Sequence, residues 1–216
     1  MNVTLDPRET AQAAVRDLRQ RITRLDDASI DLILRDARSH YAWTDRPVSD
    51  EMLHALHEIT VAGPTSMNTL PARYVHVRSE EAKDRLAKAL KDKNIDKMRQ
   101  APVTTIIAYD PNFWTRLPET FPHEDRRPLF RDKPEHCEIT ALRNSSLQGA
   151  YFMIAARALG LDVGAMSGFS NDIVDAEFFA DTGWKSNFLC NIGYADERAL
   201  FGKLPRFGFD DVNTIV

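Results

Sequence analysis

The chain has 216 residues, enough for one sizeable core, and its 43% hydrophobic and 28% charged residues are the balance of a soluble globular domain. A net charge of −4 argues against a dedicated nucleic-acid binder, and no apolar run approaches the roughly 18–20 residues that span a bilayer. The N-terminal stretch lacks the apolar centre of a signal peptide, and Cys137 and Cys190 show no Cys-x-x-Cys spacing, so the simplest reading is a reducing cytoplasm with both thiols free, although spacing alone does not forbid a disulfide.

Residues 8–25 predict an amphipathic helix, because Ala11, Ala14, Val15, Leu18, Ile22 and Leu25 recur at helical spacing. Residues 1–25 read as a helical extension and 26–216 as a single domain. A second helix is expected over 28–37, with Asp26 or Asp27 as its cap. Ser49, followed by Asp50 and Glu51, starts a third over 50–61, and Gly63 and Pro64 stop it. The stretch Ala62–Arg73, AGPTSMNTLPAR, then supplies small residues, hydroxyls, an amide and two prolines. Taken alone, it is either an ordinary helix-to-strand turn or a loop able to lie flat against a planar polar ligand.

Residues 73–78 alternate as a half-buried strand does. Residues 79–100 carry mixed charge throughout and predict solvated helix, closed by Pro102. The β-branched run 103–109 predicts a central strand. Residues 110–135 break the pattern: Pro111, Pro118, Pro122, Pro128 and Pro134 alternate with Phe113, Trp114, Phe121 and Phe130, which predicts a lid or excursion with short helical turns. The longest helix is expected over 136–160, ending at Gly160. A short helix from Asn171 to about Phe179, a strand over 185–192 and an extended tail over 196–216 complete the chain.

Several chemistries are missing. Gly160, Gly164 and Gly168 are spaced four apart after a helix, so the dinucleotide fingerprint fails. There is no Walker A loop and no Gly-x-Ser-x-Gly elbow. His54 and His57 are spaced for a metal but have no third ligand placed by motif, and they read as solvent-facing. His123-Glu124-Asp125 reads as exposed loop. Arg38, His40, Lys97, Lys203 and Arg206 are candidate anion ligands, but each alone is a surface charge unless the fold brings them together.

The segments ARSHYAW (37–43), GPTSMNTLPAR (63–73), APVTTIIAYD (101–110), RNSSLQGAY (143–151), ALGLDVGAMSGF (158–169), KSNFLCNIGY (185–194) and KLPRFGF (203–209) carry a resemblance in their order and spacing. From about residue 30 to the C-terminus, the chain resembles the FMN-dependent nitroreductase family. Within it, the similarity is to the branch of malonic semialdehyde reductases and related NAD(P)H nitroreductases.

The resemblance implies an α+β fold, a nitroreductase-like mixed central β-sheet flanked by helices. It also implies an intertwined homodimer with a C-terminal extension and FMN sites shared at the interface. Arg38, Ser39 and His40 would hold the FMN phosphate, with Tyr41 near the place of the family's second basic residue. Pro64, Thr65, Ser66 and Asn68 would come from the partner subunit. Asn94 and Lys97 would meet the pyrimidine edge. Ala165, Met166, Ser167 and Gly168 would close over the isoalloxazine, Ser167 standing where many relatives carry an acid. Arg206 would be the C-terminal basic contact, with Lys203 as a second candidate. Beside this carry-over, Arg143, Asn144 and Ser145 near the start of the long helix either line the substrate channel or serve packing and capping, and Phe113 and Trp114 are further channel candidates.

The implied reaction is ping-pong hydride transfer through flavin N5, from NADH or NADPH to a small aldehyde such as malonic semialdehyde. No side chain acts as nucleophile, no metal is required, and Lys97 gives electrostatic support. The alternative acceptors are nitroaromatics and quinones. An alternative of another class is a flavin-binding or sequestering protein without turnover. The expected location is the cytoplasm, with no nucleic-acid or membrane partner.

Overall fold

The computed structural model describes residues 6–216, so the first five residues of the expected extension lie outside it. The chain divides into two compact units, one up to Ala37 and one spanning Arg38–Val216. In the first, α1 (Pro7–Arg21) opens on Asp6, whose side chain accepts from the Arg8 N–H at 2.9 Å, with proline at the first helical position. No residue of α1 is buried, and Val15, Leu18 and Ile22 are each about half exposed. The next helix is shorter than its pattern predicted. After α2 (Asp27–Ile30), capped by Asp26, the backbone widens into a single π turn over Asp31–Arg35.

The second unit is built on a four-stranded antiparallel sheet. Its strands are β1 (Ala72–Val77), β2 (Val103–Tyr109), β3 (Asp162–Met166) and β4 (Lys185–Gly193), in the order β1-β2-β4-β3. A single parallel pairing, Ser39 with Val163, lies beside it. Every residue of β2 is buried, as its unbroken β-branched run predicted. Its side chains alternate between two cores. Val103 and Ile107 pack with Leu56 and Phe152 from α3 (Asp50–Thr60) and α7 (Pro134–Ala158). Ile106 and Ala108 pack with Leu86, Met98 and Val174 from α4 (Glu80–Ala87), α5 (Asp92–Gln100) and α8 (Asn171–Phe178). The sheet is therefore covered by helices on both faces, which is why β2 is buried on both sides.

Two local expectations are revised, and the short helical turns expected in the Pro-rich excursion are present. The charged stretch 79–100 is two helices, not one, because the β3–α8 loop docks at the break: Ser170 N–H donates to the Ala89 carbonyl at 2.8 Å and Lys91 N–H to the Gly168 carbonyl at 3.2 Å. The segment after Gly160, for which no element was predicted, is strand β3. The Pro-rich excursion holds a four-residue helix, α6 (Leu117–Thr120), and short turns, and its aromatics pin it down: Phe113 and Phe130 meet edge to face at 5.0 Å within a buried cluster with Tyr109 and Leu117. The tail, expected to be extended, holds a 3-10 turn over Glu197–Ala199 and a short helix, α9 (Phe209–Val212), and exposes Phe201, Leu204, Phe207, Phe209 and Ile215. Cys137 and Cys190 are both buried and unbridged.

Candidate functional site

Where α5 passes the loop after β3, the two are stitched by one amide. Asn94 is buried, and its Nδ2 donates to the Gly168 carbonyl at 3.0 Å. A Cβ on Gly168 would lie 2.6 Å from that Nδ2, so the approach requires glycine. One helical turn on, Lys97 donates to Asn94 Oδ1 at 3.4 Å, and its ammonium lies 4.4 Å from the centre of the Tyr41 ring. Burial lowers the Lys97 pKa, and Lys93 lowers it further. From β4, the buried Asn191 donates to the Lys97 carbonyl at 3.0 Å and accepts from Thr104 Oγ1 at 2.7 Å.

The opposite wall is the Ser39–Tyr41 segment. His40 N–H donates to the Val163 carbonyl at 3.0 Å, and a Cβ on Gly164 would meet the His40 carbonyl oxygen at 2.5 Å. The His40 ring turns onto Asp162, with Nε2 at 3.2 Å from Oδ1, and its Nδ1 is buried without a hydrogen bond. Burial works against the Asp162 carboxylate, but the contacts from His40 and the Ala195 N–H outweigh it and hold its pKa below the usual range.

These walls enclose a cavity of about 390 Å³. It brings together Ser39, His40, Asn94, Lys97 and the run Ala165, Met166, Ser167 and Gly168, all predicted as site residues. It adds Tyr41, Lys91, Lys93 and Asn191. Among the described residues, three lysines and no carboxylate line it, so its lining carries positive charge. A larger cavity of about 610 Å³ lies against α3 and the open edge of β1. Its charges are already paired, Arg73 with Asp110, Arg116 with Glu119 and Asp50 with Arg78. Its His54 and His57 belong to no metal-binding cluster among the described residues.

Other predicted residues lie outside the 390 Å³ cavity. The Arg38 guanidinium donates to the Phe201 carbonyl. Arg206 donates to the carbonyls of Leu204 and Pro205 at 3.0 and 3.1 Å, in the same exposed tail as Lys203. The loop carrying Pro64, Thr65, Ser66 and Asn68 faces α7 instead, with the Ser66 N–H on Asn144 Oδ1 at 2.8 Å. Asn144 and Ser145 are buried in α7 with their polar atoms bonded within the protein, while Arg143 is exposed. Phe113 is buried against Phe130, and Trp114 packs on the same cluster. Nothing in the sequence marked Asn191, an amide in β4, as a site residue. Lys91 and Lys93 were legible only as part of a charged helix.

Comparison with known proteins gives a consistent result. Residues 34–194 match the family model described as the nitroreductase family. A provisionally named NADH dehydrogenase/NAD(P)H nitroreductase of Rhodopseudomonas palustris is 52% identical over 187 residues, covering 87% of this chain and 95% of that protein. A relative of the same name from Burkholderia lata is 52% identical over 194 residues, 90% of this chain and 100% of its own length. Among solved structures, a provisionally named nitroreductase of Exiguobacterium sibiricum, in complex with FMN, superposes with a TM-score of 0.77 at 20% identity, covering 90% of this chain and all of that one. A provisionally named NAD(P)H:FMN oxidoreductase of Staphylococcus epidermidis gives 0.78 at 19% identity, covering 90% and 98%. At those identities, the structural matches speak for the fold.

Proposed function

The chain belongs to the nitroreductase family, and on that premise we propose that it is an FMN-dependent NAD(P)H oxidoreductase whose acceptor is a small aldehyde such as malonic semialdehyde, reduced to 3-hydroxypropionate. The observation that carries this reading is the lysine-lined cavity between Ser39–Tyr41, α5 and Ala165–Gly168.

The donor set suits FMN. A phosphate monoester favours clustered cations and hydroxyls, and a flavin's pyrimidine edge favours amides and a cation. Ser39 with Lys91 and Lys93 supplies the first kind of group, and Asn94 with Lys97 the second. Gly168 lets the loop approach Asn94 closely, leaving Ala165–Gly168 as a wall of largely small residues. Bound FMN supplies the hydride relay between reduced nicotinamide and acceptor. The chain's part is to orient and to stabilise charge. Asn94 aims the Lys97 ammonium, and Asn191 anchors the Lys97 backbone, so that the cation stands ready where negative charge develops.

A homodimer with shared sites belongs to the same proposal. Ile59, Ile139, Leu142, Leu147 and Tyr151 are exposed on α3 and α7, an apolar face that a second copy would cover. The loop carrying Pro64–Asn68, which does not line its own chain's cavity, would then reach the partner's. Arg143, exposed on the same helix, would pair with a carboxylated acceptor. A cytoplasmic location fits the two buried, unbridged thiols. No helix among the described residues is long and apolar enough to cross a membrane.

The relatives' nitroreductase names favour a second reading, a broad nitroaromatic or quinone reductase with the same parts. Anaerobic stopped-flow mixing of the FMN-loaded protein with NADH or NADPH tests the shared step through bleaching of the flavin absorbance. A flavin that stays oxidised overturns the oxidoreductase assignment. An acceptor panel then separates the two readings: rapid nitroarene reduction with no turnover of malonic semialdehyde defeats the first.

A further inference from the structure

The loop between α3 and β1 is tied to α7 at two points. Ser66 N–H donates to Asn144 Oδ1 at 2.8 Å, and Ala72 N–H donates to Gln148 Oε1 at 2.9 Å. Both amide side chains are only 2% exposed. Asn144 is itself fixed, because its Nδ2 donates to the Thr140 carbonyl at 2.8 Å and so turns Oδ1 towards the loop.

The spacing of the two ties dictates the loop's shape. Four residues of helix advance about 6 Å, whereas six residues of extended chain reach roughly 20 Å. Chain anchored at both amides must therefore coil tightly. It does so with three side-chain-bearing residues in the left-handed region: Met67 (φ 49°), Asn68 (φ 51°) and Leu70 (φ 42°). Secondary ties run from Leu70 N–H to Thr65 Oγ1 at 3.2 Å and from Asn68 Nδ2 to the Thr120 carbonyl at 2.7 Å. A backbone strained in this way persists only where its surroundings over-determine it.

We propose that Asn144 and Gln148 are positioning residues that hold Ser66–Ala72 in this coiled shape and thereby preset the loop for the cofactor of the partner subunit. The proposal rests on the functional reading above. It gives Asn144 a role through the loop in place of the substrate contact that the sequence suggested. It also assigns a role to Gln148. The clamp is rigid because both acceptors stand on one helix face, one turn apart, and are shielded from competing water.

Gln148→Leu removes the acceptor and keeps the volume, whereas Gln148→Glu keeps an acceptor oxygen. The affinity of each for FMN is measured by fluorescence titration, beside far-UV circular dichroism and amide hydrogen exchange. Gln148→Leu is expected to bind FMN about tenfold more weakly, with unchanged secondary structure and faster exchange across 66–72 but not in β2. Gln148→Glu should retain affinity to within about threefold. If the leucine variant does not fold, Asn144→Ala and wild-type exchange decide: unprotected Ser66 and Ala72 amides overturn the clamp. Wild-type affinity and protection in Gln148→Leu overturn it too, as does equal loss in both Gln148 variants, which would mean a packing role. Failure of the wild type to bind FMN overturns the functional reading instead, and leaves the exchange data to judge the clamp.

Discussion

Gly168 and Asn94 show how far a single contact can set the site. The 2.6 Å that would separate a Gly168 Cβ from Asn94 Nδ2 leaves no room for a methyl group. Since Asn94 also receives the Lys97 ammonium, displacing it would release the cation from its aim. Gly168→Ala is therefore expected to weaken FMN binding by about tenfold, read by fluorescence titration, while barely moving the melting temperature. The residue types of this trio were visible in the sequence, and the family resemblance suggested their roles. Asn191 was invisible, because a buried amide in a strand announces itself only through its partners, Thr104 Oγ1 and the Lys97 carbonyl. His40 stood in the predicted phosphate cluster, but only the structure could show its ring turned onto Asp162.

Elements were legible where the pattern is local. Ser49 caps α3 with its hydroxyl on the Met52 N–H, as its sequence predicted. The break between α4 and α5 has no glycine or proline to mark it, and the hydrogen bonds that stabilise it come from a loop some 80 residues later in the chain, at Gly168 and Ser170. The central helix α7 is the clearest case of incomplete burial. One side packs Phe152 and Ala156 into the core, while Leu142 and Leu147 are 43% and 46% exposed on the other. A helix apolar on both sides needs cover on both. On the proposed homodimer, Leu147→Glu is expected to give a monomer in light scattering and to lower FMN affinity by at least about tenfold. A stable, fully FMN-loaded monomer would defeat the shared-site proposal.

Across the whole molecule, stability should depend on pH through His76. This ring lies against Phe152 with Nδ1 2.9 Å from Thr105 Oγ1. Burial, with repulsion from His57 and Arg78, pushes its pKa from 6.5 down to about 4. Between those values the unfolded chain binds a proton that the folded chain excludes. Stability therefore falls as pH drops from 6.5 towards about 4, with a slope of at most about 1.4 kcal/mol per pH unit. His76→Gln should flatten that slope in urea melts taken at several pH values. An unchanged slope would assign the acid sensitivity elsewhere.

The sequence by itself determined the two-sided apolar strand β2, the cap of α3, the long α7 and, through seven dispersed segments, the family. These features depend on short-range periodicity, capping chemistry and ordered motifs, which a linear chain records. Only the tertiary structure decided which residues meet. Ser39–Tyr41, Asn94 with Lys97, Ala165–Gly168 and Asn191 are scattered over about 150 residues of chain, yet line one cavity. The loop Pro64–Asn68, with the same kind of polar composition, faces α7 and is coiled by two amides there. Convergence of this kind is the sum of many weak, long-range packing contacts. No single residue carries it, so nothing local in the sequence could state it.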